Sequence, residues 1–252
     1  MGEPAIHVKD LQKEFVLTHT GAASIKTALL WWKRKRIEHL HVLKGISFDV
    51  YPGQCLGVVG RNGAGKSTLL SLIARIYKPT SGVVEVRGRL APLLELGAGF
   101  HPDLNGLQNI YINATILGLR KQQIDERLDQ IIAFSELKNH IDAPVRTFSS
   151  GMAARLGFAV AVHVDAEVLL MDEVLAVGDF AFKKKCAGKI AELREQGKTI
   201  LIVSHGSDEV RKIADRCIWL QHGEIKLDGG PDEVLDAYLK QSVNTFETTE
   251  NL

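Results

Sequence analysis

The sequence predicts an α/β fold with a mostly parallel core sheet. Three short apolar runs have the length of buried strands: Leu56 to Val59, "AEVLLM" from residue 166 and "KTILIV" from residue 198. The segments between them carry apolar residues at helical spacing, as in residues 124–137. Strands that alternate with helices indicate a parallel sheet with helices packed on its faces.

Composition is that of a soluble globular protein of one or two domains. The 252 residues are 45% apolar and 24% charged, and a formal net charge of +1 gives no general attraction to nucleic acid. Three scattered cysteines, Cys55, Cys186 and Cys217, fit reduced thiols better than a metal or disulfide framework. No signal peptide is predicted, and no apolar run reaches the length of about 18 residues that indicates a membrane span.

The strongest local signal is a glycine-rich loop, "GRNGAGKST", between a predicted strand and a predicted helix. It matches the pattern G-x-x-x-x-G-K-[ST], in which glycines let backbone N–H groups wrap a phosphate at a helix N-terminus. In this pattern Lys66 reaches the β- and γ-phosphates, and the Ser67 hydroxyl ligates Mg²⁺. The predicted nucleotide-binding residues here are Gly60, Arg61, Asn62, Gly63, Ala64, Gly65, Lys66, Ser67 and Thr68.

Two acidic residues and a histidine end the later predicted strands. Asp172 and Glu173 follow "VLLM", and His205 ends "KTILIVSH". Because ligands gather at the carboxyl ends of parallel strands, Asp172 is predicted to hold Mg²⁺, directly or through water. Glu173 is the predicted catalytic base for the attacking water, and His205 a catalytic contact to the γ-phosphate. The alternatives are an acidic helix cap after a core strand and a purely structural histidine.

The order of these motifs resembles the ATP-binding cassette (ABC) ATPase family over about residues 4 to 235. "FSSGM" stands at the position of the family's signature, with Ser149, Ser150 and Gly151, and "AVGD" with Asp179 at that of its D-loop. The resemblance implies that these four residues contact nucleotide and that Phe15 stacks on adenine. It also implies an antiparallel β subdomain and a helical subdomain over about residues 100–160, within a nucleotide-binding domain of residues 1–240.

Two departures from the family pattern define a subgroup. The usual signature Leu-Ser-Gly-Gly-Gln is here Phe148 to Met152, and the segment 93–106 lacks the usual glutamine, so that Glu95 or its neighbour stands nearest. "LLELGAGFHPDLNGLQNIY" and "SSGMAARLGFAVA" resemble the ATP-binding subunits of exporters for O-antigen, capsular polysaccharide or teichoic acid. From the stretch 148–162 alone, Ser149 or Ser150 is also predicted to be an ordinary helix N-cap.

This resemblance implies a motor that uses ATP and Mg²⁺ and works as a homodimer, with each ATP between one copy's loop and the other's "SSGM". Its other partner is a separate membrane permease at the cytoplasmic face of the inner membrane, and through it a lipid-linked polysaccharide. The alternatives are an importer or drug-exporter ATPase, a non-transport ABC protein and, least favoured, a small-molecule kinase. Nucleic acid is not expected as a partner.

An insert of about residues 19–42 separates Phe15 from the predicted strand 45–50. Its middle predicts a short helix, and Trp31 and Trp32 precede four cations at 33–36. This composition favours a segment at a membrane surface or against a membrane-embedded subunit. The alternative is a solvated basic loop whose tryptophans pack on their own domain. At the other end, a short helix over 231–240 and a frayed polar tail over 241–252 are predicted.

Overall fold

The computed structural model describes residues 2–19, 36–94, 96–97, 99–172, 178–204 and 206–249. The strands in these ranges are β1 (Ile6–His19), β2 (Arg36–Val50), β3 (Cys55–Val59), β4 (Ser81–Val86), β5 (Leu90–Leu93), β6 (Val168–Asp172), β7 (Thr199–Val203), β8 (Arg216–Gln221) and β9 (Glu224–Gly229). The α-helices are α1 (Lys66–Ile73), α2 (Gly106–Ile116), α3 (Lys121–Asp125), α4 (Leu128–Ser135), α5 (Ser150–Val162), α6 (Phe180–Glu195), α7 (Ser207–Ile213) and α8 (Pro231–Thr249).

The core sheet has the strand order β5-β6-β7-β3-β8-β9, and every neighbouring pair is parallel except β8 and β9. β3 and β7 are buried along their whole length, which explains their continuous apolar sequence. Alternate residues of β3 face opposite sides: Leu56 and Val58 pack toward α1, whereas Cys55 and Val59 pack toward α5 and α6. The predicted α/β fold with a mostly parallel core sheet is confirmed.

A second, antiparallel sheet has the order β2-β1-β4 and confirms the expected β subdomain. β1 and β2 form a long ribbon that is paired from Ile6 and Val50 to His19 and Arg36. β2 therefore begins at Arg36, earlier than the predicted strand at 45–50, because residues 36–42 of the predicted insert find partners along β1. Residues 20–35, which include the predicted helix with Trp31 and Trp32, lie outside the described residues.

Helices α2 to α5 occupy the region predicted to be helical. Asn105 caps α2 through a reciprocal arrangement with Gln108, in which each side chain accepts from the other residue's backbone N–H. The stripe predicted over 124–137 is divided between α3 and α4, and its residues Ile124 and Ile131 are both fully buried.

The last helix, α8, runs from Pro231 to Thr249, so the predicted helix end at 240 is wrong. Residues 241–249 contain neither glycine nor proline, so nothing in their sequence stops the helix. Across the described ranges, none of the helices combines the length and apolar character needed to cross a membrane.

Candidate nucleotide-binding site

The glycine-rich loop joins the carboxyl end of β3 to the N-terminus of α1, as the sequence predicts. A Cβ at Gly60 would lie 2.2 Å from the carbonyl oxygen of Leu220, so no side chain fits there. At Gly65 the backbone has φ of 105°, and a Cβ would lie 2.8 Å from Leu43 and 3.0 Å from the carbonyl oxygen of Val42. Both glycines are therefore required by the close packing of the loop against β8 and β2.

The Lys66 side chain bonds back to the start of the loop. Its ammonium group donates to the carbonyl oxygens of Gly60 (2.7 Å) and Arg61 (3.1 Å), and the residue is only 6% exposed. Gly65 precedes α1 and offers no side-chain cap, and the first turn of α1 has no acidic residue. The N-terminal N–H groups of α1 thus meet no side-chain acceptor from their cap, which suits an anionic ligand.

Asp172 lies at the same edge of the core sheet as the loop. It ends β6, pairs with Val203 of β7, and Val203 in turn pairs with Val58 of β3. Neighbouring strands are about 4.8 Å apart, so the backbones of Asp172 and Val58 lie about 10 Å apart. Asp172 and Ser67 line one cavity of about 370 Å³, and carboxylate and hydroxyl oxygens are ligands that Mg²⁺ accepts. The residues present therefore fit a magnesium ion.

Three predicted site residues, Glu95, Glu173 and His205, lie outside the described residues. Their roles stay predictions from the sequence.

Phe15 lies beside the loop. It is half-buried and lines a cleft of about 760 Å³ whose other walls come from β2 and the loop. Its ring contacts Tyr77 edge-on, with 5.5 Å between the ring centroids, and the Lys13 ammonium lies 4.8 Å from the Phe15 ring centroid. The predicted residues that share this cleft with Phe15 are Asn62, Gly63, Gly65, Lys66, Ser67 and Thr68. Stacking of Phe15 on adenine remains a prediction.

Sequence reasoning missed two residues at this cleft, Tyr77 and His41. Tyr77 supports the Phe15 ring, and His41 forms part of the cleft wall. Tyr77 follows α1 in a stretch without a motif, and only the fold brings it to β1. His41 stands one position before Val42 in an amphipathic strand, where the alternation of residues alone gives no functional signal.

The signature residues stand at the N-terminus of α5. Ser149 is the N-cap, and its Oγ accepts a hydrogen bond from the Met152 N–H at 3.1 Å, so the local prediction of a serine cap is confirmed. Ser149 and Ser150 are exposed, and a Cβ at Gly151 would meet only Ser149 Oγ, at 3.8 Å. Neither residue, nor Gly151, lines the cavity at Asp172 or the cleft at Phe15.

Asp179 is the N-cap of α6. One carboxylate oxygen accepts from the Phe182 N–H at 2.9 Å, and the other accepts from the Arg155 guanidinium at 2.7 Å. The Phe182 N–H, together with the Arg155 charge, holds the pKa of Asp179 below its usual range. Arg155 lies on α5, so this ion pair joins the signature helix to the start of α6.

Glu136 extends this ion pair into a cluster that also reaches α4. Its carboxylate accepts from Arg155 at 3.2 Å and from Lys185 at 3.0 Å, and the Lys185 ammonium also donates to the carbonyl oxygen of Phe134. We call these four residues, Arg155, Asp179, Glu136 and Lys185, the Arg155 cluster. The cluster could not be predicted from local patterns, because the partners in its ion pairs are 19 to 49 positions apart along the chain.

The cavity at Asp172 and Ser67 has an apolar side, which we call the apolar groove. Ile76, which is 61% exposed, and Ile116, which is 70% exposed, flank it together with Tyr77. Leu94, Leu96 and Leu117 form more of its wall. An exposed apolar surface of this kind around a concave site indicates a protein partner.

The fold and the site define the class of protein: a phosphate-binding loop at the carboxyl end of a parallel strand, with an acid at the carboxyl end of the next strand but one, is a P-loop nucleotide-binding domain. The ABC transporter family matches residues 43–176, and the chain belongs to this family. It is an ABC-type ATPase.

Similar proteins agree with this assignment. The O-antigen export system ATP-binding protein RfbB of Klebsiella pneumoniae is 44% identical, over 94% of this chain and 98% of that protein. The teichoic acids export ATP-binding protein TagH of Enterococcus faecalis is 41% identical, over 94% of this chain and 52% of that protein. A solved dimeric ATP-binding cassette in a post-hydrolysis state, bound to ADP and Pi, shares the fold with a TM-score of 0.72 and 20% identity, covering 90% of this chain and 98% of that one.

Proposed function

We propose that this protein is the ATP-hydrolysing motor subunit of an exporter that moves a lipid-linked polysaccharide, of the O-antigen type, across the cytoplasmic membrane. The observation that carries the proposal is the 44% identity to an O-antigen export ATP-binding protein over almost the full length of both chains. The unusual signature Phe148 to Met152 and the segment 93–106 support the same subgroup, because both depart from the general family pattern.

In this proposal the adenine ring lies in the cleft at Phe15, and the phosphates lie against the loop and the N-terminus of α1. Lys66 turns from the carbonyl oxygens of Gly60 and Arg61 toward the β- and γ-phosphates. Ser67 and Asp172 hold Mg²⁺, which screens the phosphate charge when bound. Glu173 orients and deprotonates the attacking water, and His205 contacts the γ-phosphate; both assignments rest on the sequence alone.

A second copy of the chain completes each site. Ser149, Ser150 and Gly151 are half-buried or exposed and line neither nucleotide cavity of their own chain. The helix N-terminus that they form is suited to an anion. In a two-copy assembly this terminus faces the γ-phosphate held by the partner's loop, so ATP joins the copies and hydrolysis releases them.

The apolar groove at Ile76, Tyr77 and Ile116 is the proposed docking site for the permease, which places the chain at the cytoplasmic face of the membrane. The groove shares its cavity with Asp172 and Ser67, so a permease segment seated there lies next to the magnesium site. This position couples the nucleotide state to the membrane partner.

The test is to purify the affinity-tagged full chain from detergent-solubilised membranes of its own cell and to score surface polysaccharide after deleting its gene. We expect a co-purifying membrane protein with several helices and loss of the surface polymer, restored by the parental gene but not by Lys66→Ala. Ile116→Asp is expected to lose the membrane protein yet keep the ATPase activity of the isolated subunit. Normal surface polysaccharide in the deletion strain would refute the proposal.

A further inference from the structure

The side-chain amide of Asn113 on α2 is buried and has no hydrogen-bond partner in the chain. Among the described residues, its Nδ2 is the one buried side-chain nitrogen or oxygen of which this holds. A buried N–H group that leaves water without gaining another acceptor costs free energy. Native proteins contain few such groups, and one that persists needs a physical reason. The surroundings of Asn113 supply that reason.

Asn109, one turn earlier on the same helix, is fully paired. It is fully buried, and its Oδ1 accepts from the His101 N–H at 2.7 Å. Its Nδ2 lies within hydrogen-bond distance of three backbone carbonyl oxygens, those of His101 (3.1 Å), Leu104 (3.1 Å) and Asn105 (2.9 Å). A buried asparagine on α2 can therefore have all its polar atoms paired, and the unpaired amide of Asn113 is not a general property of this helix.

Asn113 lies in the wall of the apolar groove. Ile116 and Leu117, three and four positions later, line the same cavity, so these three residues share one face of α2. Among the residues described as lining the cavity, Asn113 is the only one with a polar side chain that α2 or α5 contributes. Its amide is therefore the one polar group on that wall that an occupant of the groove can meet.

We propose that Nδ2 of Asn113 donates a hydrogen bond to a neutral carbonyl oxygen of the permease segment that is seated in the apolar groove. The inference rests on the proposed function for the docking itself. The exposed side chains of Ile76 and Ile116 favour an apolar segment, and Asp172 in the same cavity disfavours a carboxylate as the acceptor. The terminal torsion of asparagine is broad, so a small rotation brings the amide to the surface of the groove.

This hydrogen bond lets the groove select its partner. An apolar surface binds any apolar segment that fits it, because hydrophobic attraction has no direction. A buried donor adds a direction, since a segment without an acceptor at this point leaves the amide unpaired and loses affinity. Asn113 thus restricts docking to segments that place a carbonyl oxygen opposite Nδ2, and it does so at a cost to the stability of the free subunit.

The first test is the thermal unfolding of the isolated full chain. Asn113→Leu replaces the unpaired amide by an apolar group of similar size, so the midpoint should rise by about 2–4 °C. Asn109→Leu is the matched control on the same helix. It removes the hydrogen bonds to residues 101–105 and should lower the midpoint by at least as much.

Both variants gain the same helix propensity, so the difference between their midpoints reports the hydrogen bonds. A lower midpoint for Asn113→Leu than for the parent would show that the amide is paired in the free subunit, and the inference would be overturned.

The second test measures binding of the subunit to the permease that co-purifies with the parental chain, stripped of its subunit and reconstituted in lipid nanodiscs. We expect the dissociation constant to rise at least tenfold for Asn113→Leu and for Asn113→Ala. These variants both lose the donor but differ in size, so a loss of affinity in both assigns the effect to the hydrogen bond rather than to shape. Thr115→Val, at an exposed position of α2, is the matched control and should bind as the parent does.

The outcomes separate this inference from the proposed function. If the parental subunit does not bind the permease, or if Ile116→Asp binds as well as the parent, the proposed docking fails and the inference fails with it. If Ile116→Asp loses the permease while both Asn113 variants bind with parental affinity, the groove is the docking site and the selective role of Asn113 is wrong.

Discussion

Arg155 and Asp179 form an ion pair of 2.7 Å that joins the helix of the signature to the N-cap of the next helix. The same guanidinium reaches Glu136 at the end of α4, so one side chain connects three helices. Arg155 is largely buried, whereas Asp179 is exposed, so solvent partly screens the pair. The ion pairs of Arg155 therefore connect the signature helix to the start of α6 and to the end of α4.

Replacing Arg155 tests whether this connection serves the assembly. Arg155→Ala leaves Glu136 and Asp179 without their shared cation, so the signature helix and α6 can move separately. We expect the maximal ATPase rate to fall about tenfold or more, while ATP affinity of the monomer stays near the parental value. Arg146→Ala, which breaks an exposed pair with Asp103, is the matched control and should leave the rate unchanged. An equal rate in Arg155→Ala would contradict the coupling role.

Lys66→Ala should abolish MgATP binding. The ammonium group lost in this variant is the cation that the loop directs at the phosphates, and it also bonds the carbonyl oxygens of Gly60 and Arg61. Titration calorimetry measures the affinity, with Lys198→Ala as a control that removes a lysine paired with Asp165 far from the loop. Parental affinity in Lys66→Ala would show that the loop does not bind phosphate through this lysine.

Glu173→Gln should bind ATP normally but hydrolyse it about 10²- to 10⁴-fold more slowly, because an amide cannot accept the proton of the attacking water. Because the ATP stays unhydrolysed, the dimer should accumulate, and light scattering detects it. Glu126→Gln, at an exposed position between α3 and α4, is the control. Turnover at the parental rate in Glu173→Gln would assign the base to another residue.

Gly157 on α5 and Gly188 on α6 form a matched pair for a stability test. A Cβ at Gly157 would lie 2.5 Å from the backbone nitrogen of Gly97, whereas a Cβ at Gly188 meets nothing within 4 Å. Gly157→Ala should lower the free energy of unfolding by about 1–3 kcal/mol through overpacking. Gly188→Ala should raise it by about 0.5–1 kcal/mol, since alanine favours the helix. Chemical denaturation measures both, and equal effects would contradict the packing of α5 on residues 96–97.

The strands and the phosphate loop could be predicted because their signals are local. Leu56 to Val59 is a continuous apolar run, and the loop pattern from Gly60 to Ser67 fixes its own backbone. The partner of Arg155 could not be predicted, since α5 and α6 are separate in the sequence and only the tertiary fold brings Arg155 next to Asp179. Tyr77 beneath Phe15 was missed for the same reason. The extent of the β1–β2 ribbon depends on pairing between the two strands. The sequence of residues 36–42 alone therefore does not predict where the ribbon ends.

The β1–β2 ribbon is mechanically connected to the cleft at Phe15. β1 carries Phe15, and β2 carries Val42, whose carbonyl oxygen packs against Gly65 of the phosphate loop. From Val42 the paired strands run on to Arg36, a distance of about 20 Å. A load applied at that far end is transmitted along hydrogen-bonded backbone to both walls of the cleft. The ribbon thus connects its outer end at Arg36 through paired backbone both to Phe15 and to the strand that packs on the phosphate loop.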